Sequence, residues 1–444
     1  MKPALYRCVI FILVCLFIVM GAEGVLAQGT GPGFGLPTGI AVESSGSLVV
    51  TDSGRDAVLR VDPFTGDRSI VSDVRTGIGP GFARPVDIAV LNGGVALVAD
   101  GGVDAVFQVD LGTGARRIVS GCPEAGDPCP VAVVGTGVDF INLEGIAILA
   151  DGSFVVVDVG RDAVIRVDQF TGNRTILSDA STGIGPAFIS PIDIVTDAFG
   201  TVFVLDLSLD AVVRVELDTG NRTIVSGCPE EPDPCPVPLV GLGPDLADPA
   251  GIAAEPGGTL ALTDVGLSAI LRLDVVTGDR SIVSDTTTGS GPLFFTPAAI
   301  AAEPSGSLVV VDASRQAVLR VDAFTGARTI LSKPSTLTIS PPSGIYASGQ
   351  SFDLALIIEG VDNVIASSLI AMLDNNDVTA SIVPCITQAP LVGGGVVLQC
   401  PGVSTLLGLT PGRHVFSINY PLGPDPAVSG TLTARVTWEI VSTQ

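Results

Sequence analysis

The sequence predicts an all-β chain, a six-bladed β-propeller followed by a smaller β-domain, and three observations carry that expectation. A 48-residue unit recurs six times. Each copy reads as four short strands rich in Val, Ile and Leu. Residues 336–444 lose the repeat but keep alternating strand-like runs. A four-stranded unit cannot bury both of its faces alone; set around an axis, each sheet packs on its neighbours and most strand edges are protected.

The chain opens with Lys2 and Arg7, an apolar run from Cys8 to Met20 and a small-residue site, Val25-Leu26-Ala27. That is the layout of a secretory signal peptide. The run is shorter than the ~20 residues a spanning helix needs. Residues 1–27 are therefore expected to be removed. The protein is expected to be exported, secreted or periplasmic, with no transmembrane segment after cleavage.

The repeat follows over residues 28–335. Its signature, G-x-G-P-x-F-x-x-P, stands at Gly29–Pro37, Gly77–Pro85, Gly183–Pro191 and Gly289–Pro297, with degenerate copies at Gly135–Leu143 and Gly241–Pro249. The copies start at intervals of 48 or 58 residues, the longer ones holding the inserts GCPEAGDPCP and GCPEEPDPCP. In the first copy the strands read GIAVE, SLVVTD, AVLRVD and RSIVSD, bounded by Gly, Pro, Asp and Ser as tight turns require. A Thr-Gly turn follows the third strand in every copy, and an Arg stands two residues later: Arg68, Arg116, Arg174, Arg222, Arg280 and Arg328.

The cysteines left after cleavage fall in local pairs, Cys122/Cys129, Cys228/Cys235 and Cys385/Cys400. In an exported chain these read as three disulfides. Six-residue spacing and the absence of histidine from the propeller segment argue against a metal site.

The formal net charge is −24, and only 15% of residues are charged. An acidic chain lacks the basic footprint of a nucleic-acid binder. The single histidine, His414, lies outside the repeat, which excludes a Ser-His-Asp triad there. Six acids repeat at the end of the second strand: Asp52, Asp100, Asp158, Asp206, Asp264 and Asp312. These are expected to cap turns by accepting backbone N–H groups.

Departures from the repeat are the better functional signal. At the start of the first strand the copies carry Gly39, Asp87, Gly145, Asp193, Gly251 and Ala299. Blade three adds Glu144 and Asn142. Asp87, Asn142, Glu144 and Asp193 could converge at the central channel as hard oxygen ligands suited to Ca²⁺; the alternative is a solvated channel mouth.

The text PTGIAVE…GSLVVTDSGRDAVLRVD, residues 37–62, resembles NHL-type repeats and their six-bladed relatives, including the gluconolactonase-like and TolB-like propellers. The resemblance implies the fold and leaves function open, since such propellers host hydrolases, lyases and binding modules. The acidic set resembles the axial cation site of the gluconolactonase-like hydrolases, but their first-blade glutamate has no match at Thr38 or Gly39. Residues 336–444, with LTPGRHVFSINY and TARVTWEIV, resemble bacterial Ig-like sandwich domains. The expected function is an exported, non-catalytic binding or scaffold protein, a monomer, taking a protein or small-molecule ligand on its acidic loop face, with room for a divalent cation. The alternative is a Ca²⁺-dependent lactonase or esterase, with Asp87 or Asp193 as base.

Overall fold

A computed structural model describes residues 29–122, 133–227 and 239–333, and much of 336–441, chiefly its strands. The expected signal peptide and most of both cysteine inserts lie outside the described residues. Gly29–Pro334 form one compact unit, and the chain from Ser335 on belongs to a second. No helix among the described residues is long and apolar enough to cross a membrane.

The first unit is a six-bladed propeller of six antiparallel four-stranded sheets, each in plain sequence order. Blade 1 holds Pro37–Val42, Leu48–Asp52, Ala57–Val61 and Arg68–Ser72. Blade 2 holds Pro85–Leu91, Val95–Asp100, Ala105–Asp110 and Arg116–Gly121. Blade 3 holds Leu143–Ile148, Phe154–Asp158, Ala163–Val167 and Arg174–Ser178. Blade 4 holds Pro191–Thr196, Val202–Asp206, Ala211–Val215 and Arg222–Gly227. Blade 5 holds Pro249–Ala254, Leu260–Asp264, Ala269–Leu273 and Arg280–Ser284. Blade 6 holds Pro297–Ala302, Leu308–Asp312, Ala317–Val321 and Arg328–Ser332. First strands touch first strands all round, blade 6 against blade 1 included.

The core is split into six apolar clusters, one at each blade–blade interface. Second strands are buried along their whole length in five blades, as in Leu48–Asp52 and Phe154–Asp158, and in blade 2 from Ala96 on. They therefore read as continuous apolar runs rather than as alternating ones.

The repeated arginine locks each interface. Arg116 donates from Nε to the Pro80 carbonyl (2.9 Å) and from Nη1 to Ser72 Oγ (2.5 Å), and Ser72 Oγ donates to the Gly114 carbonyl (2.7 Å). The guanidinium also lies over the motif phenylalanine, Phe82, at 5.2 Å from the ring centroid, a favourable cation–π distance. The same clasp closes the ring: Arg68 Nη1 donates to Ser332 Oγ (2.6 Å), which donates to the Gly66 carbonyl (2.6 Å). No strand is exchanged between blades 1 and 6.

The six repeated aspartates are fully buried. As expected, each caps the connector entering its own blade. Asp52 Oδ2 accepts from the Gly35 N–H (2.7 Å) and Oδ1 from the Leu36 N–H (2.8 Å). Asp158 repeats this with Ile141 and Asn142.

In the second unit, Thr336–Ser340, Leu354–Glu359, Gly395–Cys400 and Thr387–Pro390 form an antiparallel sheet in that order. Gly344–Ala347 runs parallel to the end of Gly430–Val441 in a second sheet, which Gly412–Leu422 continues.

Of the six cysteines expected to pair, two are described, Cys122 and Cys400, and each is disulfide-bonded. Cys129, Cys228, Cys235 and Cys385 lie outside the described residues. The structure therefore does not show the expected partners, Cys129 for Cys122 and Cys385 for Cys400, and shows neither member of the Cys228/Cys235 pair. What it does place is the anchor of the first insert: Gly121 pairs with Val134 across it, and Gly227 pairs with Val240 across the second.

Candidate functional site

A bulge builds the channel wall. Near its start every first strand slips register against the second; in blade 1, Pro37 faces Asp52 and Gly39 faces Thr51, so Thr38 is extra. The same slip occurs in the other five blades. A bulged residue is re-aimed relative to the regular strand. The six extra residues, Thr38, Val86, Glu144, Ile192, Ala250 and Ala298, all line one pocket of about 390 Å³ into which every blade contributes.

The next position alternates between no side chain and a side chain. A Cβ added to Gly39 would lie 2.8 Å from both Cα and Oδ1 of Asp87, and one on Gly145 would lie 2.9 Å from Cα of Asp193. Glycines in blades 1, 3 and 5 thus leave room for Asp87, Asp193 and Ala299 in blades 2, 4 and 6. Each aspartate then reaches into the following blade. Ile146 N–H donates to Asp87 Oδ2 (2.9 Å), and Ile252 N–H donates to Asp193 Oδ2 (2.9 Å). The closest internal repeat is therefore two blades long: Gly29, Gly135 and Gly241 stand 106 residues apart.

The structure brings Asp87, Glu144 and Asp193 to the same pocket. Burial, with a smaller contribution from Glu144, raises the Asp87 carboxyl to about 7. Burial, and then the charge of Asp87, pushes Asp193 well above the ordinary carboxylate range. Burial also raises Glu144, against the opposing pull of Arg84.

Sequence reasoning missed Arg84. Its Nη1 donates to Glu144 Oε1 (3.1 Å) and its Nη2 to Asn142 Oδ1 (2.6 Å). Two signals were in the sequence. Position 84 is Leu, Arg, Asn, Ser, Asp and Thr across the six copies, and Gly101 follows the blade-2 cap. A Cβ on Gly101 would come within 2.2 Å of Arg84 Nη2, so glycine there lets the arginine cross to blade 3. Asn142 and Glu144 thus both hold a protein cation. Among the described residues, no three His, Cys, Asp or Glu side chains stand together in metal-holding geometry.

No protein-family model and no curated protein matches this chain. Solved structures resemble it. An auxiliary nutrient binding protein from Bacteroides thetaiotaomicron is 13% identical over 66% of this chain and 71% of its own, with a TM-score of 0.49. A catalytically inactive virginiamycin B lyase from Staphylococcus aureus, solved with quinupristin, is 13% identical over 75% and 94%, with a TM-score of 0.45. A structural-genomics protein of unknown function from Bacteroides thetaiotaomicron is 16% identical over 65% and 69%, with a TM-score of 0.48. The six four-stranded sheets themselves, rather than these distant likenesses, establish the propeller.

Proposed function

We propose that this is an exported binding protein whose propeller holds a small ligand in the axial pocket, with the C-terminal unit acting as an Ig-like spacer or attachment module. One observation carries the reading. Residues that break the sixfold repeat (Arg84, Asp87, Glu144 and Asp193) gather at one pocket, whereas the sixfold aspartates are buried as connector caps. Little of the repeated acid is left over for a protein partner, and the pocket volume lies in the range of small-molecule sites. The test is calorimetric titration of hits from a small-molecule screen against wild type and Ala298→Phe, which fills the pocket. Hits bound equally by both proteins would refute the reading.

A second reading, a Ca²⁺-dependent lactonase or esterase, is favoured by the Asp87 carboxyl at about 7, which suits a general base near neutrality. Calcium at Asp87, Asn142, Glu144 and Asp193 requires Arg84 to leave its two partners. Calcium titration of wild type, Asp193→Ala and Arg84→Ala, followed by a lactone-hydrolysis screen, tests it. Absence of calcium binding in wild type sinks the enzyme reading.

A further inference from the structure

The pocket has two unlike halves. Blades 2, 3 and 4 contribute Arg84, Asp87, Glu144 and Asp193 beside Val86, Ile192 and Leu207, while blades 5, 6 and 1 contribute chiefly small apolar residues, Ala250, Ala298 and Ala299 among them, with Asp248, Thr38 and Ser53 as their polar members. The division follows from the two-blade repeat. Where the first two copies place Asp87 and Asp193 the third has Ala299, and where blade 3 places Glu144 blade 5 has Ala250. Four carboxyl groups line the pocket, three of them in blades 2, 3 and 4, against the single guanidinium of Arg84, so that half lacks positive charge. A bare inorganic cation would satisfy that half alone. It would leave the small apolar residues facing water in a cavity of about 390 Å³, room for roughly a dozen waters at ~30 Å³ each.

Building on the axial-pocket reading, we propose that the ligand is a small amphipathic organic cation. Its ammonium group lies against Asp87 and Asp193, and its compact apolar body against Ala250, Ala298 and Ala299. Both parts are then matched: the ammonium favours the charged form of Asp87 and Asp193, which burial alone disfavours, and donates to their oxygens, and the hydrocarbon leaves water for an apolar wall. Arg84 stays with Glu144 and Asn142, so its charge is already paired within the protein.

The experiment titrates the full mature chain with cyclohexylammonium and benzylammonium, with cyclohexanol as the uncharged counterpart and with cyclohexanecarboxylate, by calorimetry or ligand-observed NMR. Asp193→Asn and Ala299→Leu are titrated in parallel, their folding checked by circular dichroism. The expected result is at least tenfold preference for the ammonium over the alcohol. That preference should be lost in Asp193→Asn, and all binding should be lost in Ala299→Leu. Equal binding of alcohol and ammonium, with both lost in Ala299→Leu, overturns the ammonium assignment and leaves the pocket reading standing. Tighter binding of the carboxylate does the same and makes Arg84 the anchor. If no probe binds, or if Ala299→Leu binds them as wild type does, the pocket reading falls as well.

Discussion

Ser332→Ala tests the ring closure most directly. Ser332 Oγ accepts from Arg68 Nη1 and donates to the Gly66 carbonyl, both at 2.6 Å in a buried setting. A bond to a charged donor contributes about 1.5–3 kcal/mol and a neutral one about 1 kcal/mol. Arg68 remains held by the Pro32 carbonyl at 2.8 Å and by the Phe34 ring, so the loss is confined to the hydroxyl. The sum is about 3 kcal/mol, or a fall in Tm of roughly 4–6 °C for a domain of this size. Differential scanning calorimetry measures it, with Ser178→Ala as the comparison. That variant removes the same hydroxyl from an interface the chain itself bridges, and Arg222 keeps the Asp179 and Thr182 carbonyls there. A smaller drop is expected. A Ser332→Ala melt within about 1 °C of wild type, against the expected several degrees, would refute the claim that this clasp holds blades 1 and 6 together.

Other variants probe the channel, the caps and the cysteines. The Asp87 carboxyl is raised by burial from 3.8 to about 7, so the folded state holds its proton more tightly than the unfolded one. The resulting stability is complete below pH ~4 and lost as pH rises through ~7; melting curves between those values should show the decline, and Asp87→Asn should flatten it. Gly145→Ala should cost about 1–3 kcal/mol by overpacking, because its Cβ meets the Asp193 backbone, whereas Gly257→Ala, with nothing within 4 Å, should be neutral or slightly stabilising in the same chemical denaturation. Asp100→Ala orphans the Ala83, Arg84, Gly102 and Val103 N–H groups and should lower stability by about 3 kcal/mol or more; an unchanged denaturation midpoint would contradict the capping role. If Cys122 bridges to Cys129 and Cys228 to Cys235, Cys129→Ala and Cys235→Ala should each expose one new thiol to a thiol-reactive probe and lower the melting temperature; no new thiol in either variant would overturn that pairing.

The propeller was legible because its strands, turns and caps are written six times over. Sheet order, the Thr-Gly turns and the capping role of Asp52 and its counterparts all follow from local chemistry that repetition makes visible. The repeated arginines were equally visible, but their purpose was not. Arg116 finds Ser72 across an interface, and no spacing along the chain encodes which blade a guanidinium will reach. The site was half legible. Asp87, Glu144 and Asp193 stood out as breaks in the pattern, and the fold does gather them at one pocket. The bulge that turns Glu144 into the channel leaves no residue-type signature, since Thr, Val, Glu, Ile and Ala all occupy it. The reach of Arg84 to blade 3 depends on the space at Gly101, a passage that only the folded backbone defines.

The alternation of bare and substituted positions around the axis carries a further consequence, one of parity. A closed ring of alternating members must have an even number of them. Adding or deleting a single blade would set two glycines, or two side chains, next to each other at the seam. Side-chain neighbours would collide there at the 2.8–3.0 Å separations that the glycines now relieve, while glycine neighbours would leave a gap. Such a chain should therefore grow or shrink by pairs of blades, and a five- or seven-bladed descendant would first have to rewrite its innermost strands.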